Sequence, residues 1–134
     1  MAGVVVDTNV FVAAGFDATS ASAHILAAIR RRSLQLVWNE PTRRETEWVL
    51  RRIPPLGWDT FAGLFRLEGE FTGRVDPQDF VFIEDPDDRK FAALGTAAKV
   101  PLVTNDHHLL DRRILIGCAV LTPRAFLARA GEQQ

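Results

Sequence analysis

The chain has 134 residues, of which 47% are hydrophobic and 25% charged, and its formal net charge at pH 7 is -1. This length suits one domain, and the balance of apolar and charged residues excludes a disordered or fibrous chain. A net charge close to zero also excludes a protein that binds nucleic acid over its whole surface, so any site for a polyanion has to be local.

The single cysteine and the lack of long apolar runs favour a reducing compartment and a protein outside the membrane. Cys118 stands alone, so the chain cannot form an internal disulfide, which fits a reducing compartment. No basic-then-apolar leader opens the chain, and no apolar stretch approaches the roughly 20 residues that a membrane helix needs. We therefore expect a cytoplasmic protein without a membrane segment.

Short apolar, β-branched runs alternate with longer segments of helical period, a pattern typical of a parallel sheet with helices on its faces. The predicted fold class is α/β, with about five strands. The predicted strands are residues 4–6, 34–38, 80–83, 102–104 and 118–121. The predicted helices are residues 20–32, 42–53, 58–70, 87–99 and 123–130.

The sequence Pro54-Pro55-Leu56-Gly57 breaks the middle of the chain, because proline lacks the amide that a helix needs and glycine loses most freedom on ordering. We expect the helices on either side of this break to form a hairpin on the sheet. No repeat, low-complexity tract or linker is present. The prediction is therefore a single domain over residues 1–134.

Three of the predicted strands end at acidic residues. Asp7 follows residues 4–6, an acidic turn at 84–88 follows 80–83, and Asp106 closes the segment after 102–104. In a parallel sheet the ligand crevice lies beyond the carboxyl ends of the strands. One such acid alone is typical of a turn or a helix cap, but several at one edge repel each other unless a cation lies between them. Together they predict a divalent-cation site.

The helix at 42–53 offers two glutamates as a fourth acid. Glu47 lies one turn from arginines on both sides and so belongs to a salt-bridged outer face. The stripe that contains Glu45 also holds Thr42, Trp48, Val49 and Arg52. We expect this stripe to pack largely on the sheet, where an acid is costly unless it is paired or binds a metal. Glu45 is therefore the predicted acid.

The acidic turn leaves two candidates for the third acid. Asp88 is followed at i+3 and i+4 by Phe91 and Ala92, whereas Asp87 is followed at i+4 and i+7 by Phe91 and Leu94. Helical periodicity therefore allows either aspartate to face inward.

Oxygen ligands without a cysteine or histidine cluster predict Mg²⁺ or Mn²⁺ rather than zinc. We expect the histidines to be ordinary polar residues, with His24 on a helix surface and His107-His108 opening a short helix. Either of the latter two is placed to contact an anionic substrate beside Asp106.

Four segments in this order resemble the PIN-domain family, in particular the VapC-like ribonuclease toxins of bacterial type II toxin–antitoxin pairs. They are Val4-Val5-Val6-Asp7-Thr8-Asn9, Asp85-Pro86-Asp87-Asp88-Arg89-Lys90-Phe91, Leu102-Val103-Thr104-Asn105-Asp106 and Leu121-Thr122-Pro123-Arg124-Ala125-Phe126-Leu127. The resemblance covers most of the chain. It implies a PIN-like fold, with a central parallel sheet and helices on both faces.

The resemblance also implies roles for individual residues. It places the family's metal-binding, catalytic acids on Asp7, Glu45, Asp88 and Asp106, and so favours Asp88 over its neighbour. It places substrate-contacting positions on Asn9, Thr104, Asn105 and His107. The sequence departs from the family in two places: the segment before the glutamate is more polar than usual, and Asn105 and His107 stand where glycine and arginine are frequent.

The function implied is a metal-dependent endoribonuclease that hydrolyses RNA phosphodiester bonds, as the toxin of a toxin–antitoxin pair. The implied partners are RNA, a cognate antitoxin and a second copy of the chain in a homodimer. The alternative is a PIN fold that has lost activity and serves as an RNA-binding or protein-interaction module. A missing acid would distinguish the two, and Glu45 is the acid that the sequence fixes least.

Overall fold

A four-stranded parallel sheet forms the centre of the computed structural model, which describes residues 2–132. The strands are β1 (Ala2–Val6), β2 (Leu34–Leu36), β3 (Leu102–Val103) and β4 (Val120–Leu121). Their order is β2-β1-β3-β4, and all neighbours run parallel. Strand β1 is therefore interior, as its apolar sequence predicts, and the residue that follows it lies in the middle of one sheet edge.

Seven α-helices surround the sheet within residues 2–132. They are α1 (Thr8–Phe16), α2 (Ala21–Arg30), α3 (Glu40–Arg51), α4 (Asp59–Ala62), α5 (Pro86–Ala98), α6 (His107–Asp111) and α7 (Pro123–Glu132). The predicted helices 20–32, 42–53, 87–99 and 123–130 correspond to α2, α3, α5 and α7, and the predicted α/β class is confirmed. Helix α1 is absent from the predicted elements.

Alternate residues of β1 point into two separate cores. Val4 and Val6 pack on one face of the sheet in a cluster that includes Phe11 of α1, whereas Val5 packs on the other face with Phe91 of α5. This alternation is the period of two that a strand imposes on its side chains. Both faces of the sheet are therefore covered by helices, as predicted.

The helices that carry the candidate acids begin at side chains that cap them. Asn39 and Thr42 form a reciprocal capping box at the start of α3. Asp85 accepts a hydrogen bond from a backbone amide in the first turn of α5. These caps satisfy amides that have no partner within the helix. They also fix the residue at which each helix begins, and hence where its acids lie.

Residues 80–83 do not form the predicted fifth strand. Pro77–Phe80 is a 3₁₀ helix, and the chain then turns into α5. Phe80 and Ile83 are buried in the core beside α5, while Val81 is 68% exposed. The apolar run therefore reflects an irregular segment anchored at two points, which has a strand-like composition without a strand's hydrogen bonds.

Residues 58–70 do not form one helix, so the predicted helical hairpin is also wrong. Helix α4 has four residues, and Leu67–Gly69 is a 3₁₀ helix. A Cβ at Gly69 would lie 2.0 Å from the carbonyl oxygen of Leu36. Only glycine fits this close approach to β2. The segment here is extended beside Trp38, whose backbone N–H donates to the carbonyl of Gly69 and whose carbonyl accepts from the N–H of Phe71.

No single helix in the described range is long and apolar enough to cross a membrane. Helices α1 and α2 meet the length and composition criteria only when taken together, across a bend of 102°.

Candidate metal centre

Asp7 directly follows β1 and is buried, with 3% of its surface exposed. It precedes α1 but, within the described residues, its side chain caps no amide of that helix. Its Oδ2 instead accepts hydrogen bonds from Thr104 Oγ1 at 2.7 Å and from Asn9 Nδ2 at 3.3 Å. The carboxylate therefore belongs to a group at the sheet edge rather than to the helix start.

Thr104 joins two of the predicted acids. Its hydroxyl donates to Asp7 and accepts a hydrogen bond from the backbone N–H of Asp106 at 2.9 Å. The side chain is fully buried beneath these residues at the end of β3. The two aspartates lie close together because they follow adjacent parallel strands that end at the same edge of the sheet. The hydrogen bonds of Thr104 then fix their relative position.

Asp88 brings a third carboxylate to this edge from the first turn of α5. One ligand atom from each of Asp88, Asp106 and His108 lies within 4.8 Å of the others. The Oδ2 of Asp88 is buried and has no hydrogen-bond partner among residues 2–132. The side chain of Asp87, by contrast, is 75% exposed and lies 3.8 Å from Lys90. The structure therefore places Asp88 in the cluster and its neighbour outside.

The carboxylates of the cluster destabilise each other's charge. Burial raises the pKa of Asp7 to about 6, against the hydrogen bond from Thr104, and Asp106 raises it further. Burial raises the pKa of Asp88 to about 8, and the nearby Asp106 and Asp7 add to this rise. A divalent cation would offset both the burial and the mutual repulsion of these carboxylates, because its positive charge stabilises their ionised form.

Glu45 lies at the side of the cluster and is paired with a lysine. Lys90 Nζ donates to Glu45 Oε1 at 2.7 Å, and both side chains are mostly buried. Burial raises the pKa of Glu45, while the ammonium opposes that rise. Helix α3 is fixed at this point by a buried hydrogen bond of 2.8 Å between Thr8 Oγ1 and Thr46 Oγ1. The negative charge that Glu45 presents to the other acids is therefore neutralised by Lys90.

The stripe of α3 that contains Glu45 does not pack on the sheet as predicted. The buried residues of α3 are Thr42, Thr46 and Leu50, of which only Thr42 belongs to the predicted stripe, whereas Trp48 is 57% exposed. The predicted outer position of Glu47 is observed, since it bonds arginines before and after it. The stripe with Glu45 instead borders an open groove.

The groove has a volume of about 480 Å³. The cluster residues Asp7 and Asp88 line it together with Glu45 and Trp48. This size is within the range of small-molecule sites. Because the groove is open and walled by carboxylates, an anion reaches the cluster favourably only when a cation is present.

The remaining predicted contact residues surround the loop after β3. Asn9 Oδ1 accepts a hydrogen bond from the backbone N–H of Asn105 at 3.1 Å, so Asn9 connects α1 to this loop. His107 and His108 are both exposed, and His108 Nδ1 lies 3.7 Å from Asp106 Oδ1. Sequence reasoning gave no role to Lys90, although its place three residues after Asp87 in a helix indicated that it lies beside the acidic turn.

The donors of the cluster fit a hard divalent cation. Its members are carboxylate oxygens from three segments distant in sequence, Asp7, Asp88 and Asp106, with one imidazole beside them. Mg²⁺ and Mn²⁺ take such oxygen donors and retain waters, while zinc usually takes more nitrogen or sulfur. An acidic cluster suited to a divalent metal is thus present.

Comparison with known proteins agrees with this architecture. A family model described as a PIN domain matches residues 3–108, from β1 into α6, and so spans all four predicted acids. No curated protein matches the chain. Among solved structures it is similar to the crystal structure of PAE2754 from Pyrobaculum aerophilum, with a TM-score of 0.57 and 21% identity over 98% of each chain, a likeness that shows the fold. A PIN domain indicates a nuclease-type function. On the family match and the shared fold, the chain belongs to the PIN-domain family.

Proposed function

We propose that this protein is a divalent-metal-dependent endoribonuclease that hydrolyses RNA phosphodiester bonds with Mg²⁺ or Mn²⁺. The observation that carries the proposal is the buried Oδ2 of Asp88, which has no hydrogen-bond partner in the described part of the chain and lies beside the carboxylates of Asp7 and Asp106. Burying like charges together is costly, and a site that retains them is typical of metal-assisted chemistry.

The chain's own residues divide into ligands and supports. Asp7, Asp88 and Asp106 would hold the cation, and Glu45 would complete the shell directly or through water. When bound, such a cation polarises a phosphodiester oxygen and lowers the pKa of water that attacks in line. Thr104 fixes the relative position of two of these acids through its buried hydroxyl.

Basic side chains beside the groove support a polyanionic substrate. Arg44 and Lys90 line a cavity of about 400 Å³ that adjoins the acidic groove at Glu45 and Trp48. Lys90 is paired with Glu45, and Asp87 also lines this cavity, so the cation available to a phosphate backbone is Arg44, whose side chain is 72% exposed and lies 3.5 Å from Glu40. The attraction is therefore local to the groove, as a nuclease requires.

A role as a toxin of a bacterial toxin–antitoxin pair in the cytoplasm extends the same proposal. An open groove walled by carboxylates suits a basic side chain of an antitoxin, which would compete with metal and RNA. A homodimer would cover exposed apolar side chains such as Ile114 and Leu115, which are 91% and 58% exposed.

The proposal is tested by incubating purified protein with single-stranded RNA in Mn²⁺, Mg²⁺ or EDTA. We expect cleavage with either cation, none in EDTA, and none from Asp7→Asn, which keeps the size of the side chain. Calorimetry should detect cation binding to the wild type. Intact RNA together with no cation binding would favour the inactive module, and the Lys90–Glu45 ion pair, which neutralises one acid, is the feature consistent with that alternative.

A further inference from the structure

Trp48 is unusual among the tryptophans of this chain because it is exposed. Trp38 and Trp58 are 7% and 9% exposed and belong to a core cluster, whereas Trp48 is 57% exposed on α3. A large aromatic side chain on the surface leaves apolar area in contact with water, which costs free energy unless something binds there.

Arg52 holds the Trp48 ring in place one helical turn further along. Its guanidinium carbon lies 3.6 Å from the ring centroid, and its Nη1 donates to the Trp48 carbonyl oxygen at 2.9 Å. This cation–π contact covers one face of the indole and restricts its rotation. The ring is therefore preorganised while more than half of the residue stays open to solvent.

Trp48 lies between the acidic groove and a neighbouring cavity of mixed charge. It lines the groove of about 480 Å³ with Asp7 and Asp88, and also the cavity of about 400 Å³ with Arg44 and Lys90. A chain of nucleotides with one phosphate at the acids would therefore pass the Trp48 ring and the exposed side chains of Arg44 and Arg52. These are the two components that bind single strands: stacking platforms and a basic track.

We propose that Trp48 is the stacking platform for an unpaired base adjacent to the cleaved phosphate, and that it selects single-stranded RNA. This inference rests on the proposed nuclease function. A base in a duplex is already stacked on both faces and cannot take this position without leaving its pair. A nucleotide suits the surroundings, because Arg52 lies over one face of the exposed ring and Arg44 lines the cavity beside it, so that a phosphate backbone would meet two exposed arginines next to the stacked base.

The test compares Trp48→Ala and Trp48→Phe with the wild type in Mn²⁺. For an unstructured oligoribonucleotide, we expect Trp48→Ala to raise KM about 5- to 100-fold with a much smaller change in kcat, and Trp48→Phe to retain most of the affinity. For a duplex of the same sequence the three proteins should be alike. Phe16→Ala is the matched control, since Phe16 is also exposed, at 63%, but does not line the groove.

Tryptophan fluorescence gives a readout that does not depend on cleavage. Because the other two tryptophans are buried, quenching by the oligoribonucleotide reports Trp48, and we expect it to vanish in Trp48→Phe. An oligomer of abasic units with the same charge should bind without quenching. Quenching by the abasic oligomer would show that charge alone is responsible and overturn the inference.

The outcomes separate the inference from the function on which it rests. If Trp48→Ala leaves KM and the affinity for RNA unchanged while cleavage still needs a cation, the stacking role is wrong and the nuclease stands. If the wild type binds RNA with quenching but never cuts it, the nuclease is wrong and the platform stands. If Trp48→Ala leaves RNA binding unchanged but converts a dimer to a monomer in sedimentation, the residue serves an interface between copies and the inference is overturned.

Discussion

Lys90 and Glu45 form an ion pair of 2.7 Å that joins α5 to α3 at the side of the acidic cluster. The lysine also lies 3.8 Å from Asp87. Its ammonium group thus places a positive charge next to one of the candidate acids. It therefore compensates Glu45 in the metal-free protein and competes with any metal for that carboxylate.

Replacing Lys90 by methionine should lower the stability of the metal-free protein and strengthen metal binding. In EDTA, Glu45 would be left mostly buried without its partner, at a cost of about 1–3 kcal/mol. With Mn²⁺, the loss of a nearby positive charge should tighten the binding and enlarge the rise in Tm. Calorimetry and thermal unfolding measure the two effects, with Lys90→Arg as the control that keeps the charge. Unchanged stability in EDTA would contradict a compensating role.

Replacing Thr104 by valine tests whether its hydroxyl holds two of the acids. Valine matches the shape of threonine but neither donates to Asp7 nor accepts from the amide of Asp106. We expect a loss of about 1–3 kcal/mol in the free energy of unfolding and a fall in kcat. Thr104→Ser keeps the hydroxyl and should keep most of the activity. Equal loss in both variants would indicate that packing of the methyl group, not the hydrogen bonds, is what matters.

The parts of the fold that the sequence predicts are those that periodicity controls. Strand β1 is apolar at every position because helices cover both of its faces, and the long helices have a clear period and caps. The failures come from tertiary contacts. Residues 80–83 have the composition of a strand but find no partner, and the helix predicted at 58–70 already ends at Ala62, before Gly69 packs against the backbone of β2.

The candidate site divides in the same way. Positions directly after strands are predictable because parallel strands share an edge, so Asp7 and Asp106 come together through Thr104. The directions of the α3 side chains were not predicted correctly, because the helix is rotated by about one residue relative to the prediction. That rotation, which depends on how α3 packs against α1, exposes Trp48 and leaves Glu45 for Lys90.

The metal-free protein should lose stability as the pH rises from 5 to 8. The pKa values of Asp7 and Asp88 are raised from 3.8 to about 6 and about 8, so in this range the folded state binds more protons than the unfolded state. Stability present below pH 4 is therefore lost through pH 6 for the first group and pH 8 for the second. The rise for Asp7 alone corresponds to about 3 kcal/mol.

Urea unfolding in EDTA at several pH values measures this loss. Carboxyls whose pKa is lowered by arginines, such as Glu47, titrate below this range and do not mask it. With excess Mn²⁺ the slope should flatten or reverse, because the cation favours the ionised carboxylates. A free energy of unfolding that rises steadily from pH 5 to 8 in EDTA would show that the acids do not interact as described.

The adjacent pair Asp87 and Asp88 gives a matched test of which acid of the turn belongs to the site. Asp88→Asn removes a buried charge from beside Asp106 and Asp7, so in EDTA at pH 8 it should unfold at a higher temperature than the wild type. It should also lose the rise in Tm that Mn²⁺ produces, and the cleavage of RNA. Asp87→Asn changes an exposed side chain and should keep both within about twofold of the wild type. The reverse assignment of these effects would place the wrong aspartate in the cluster, and equal effects would mean that the turn binds the cation as a unit.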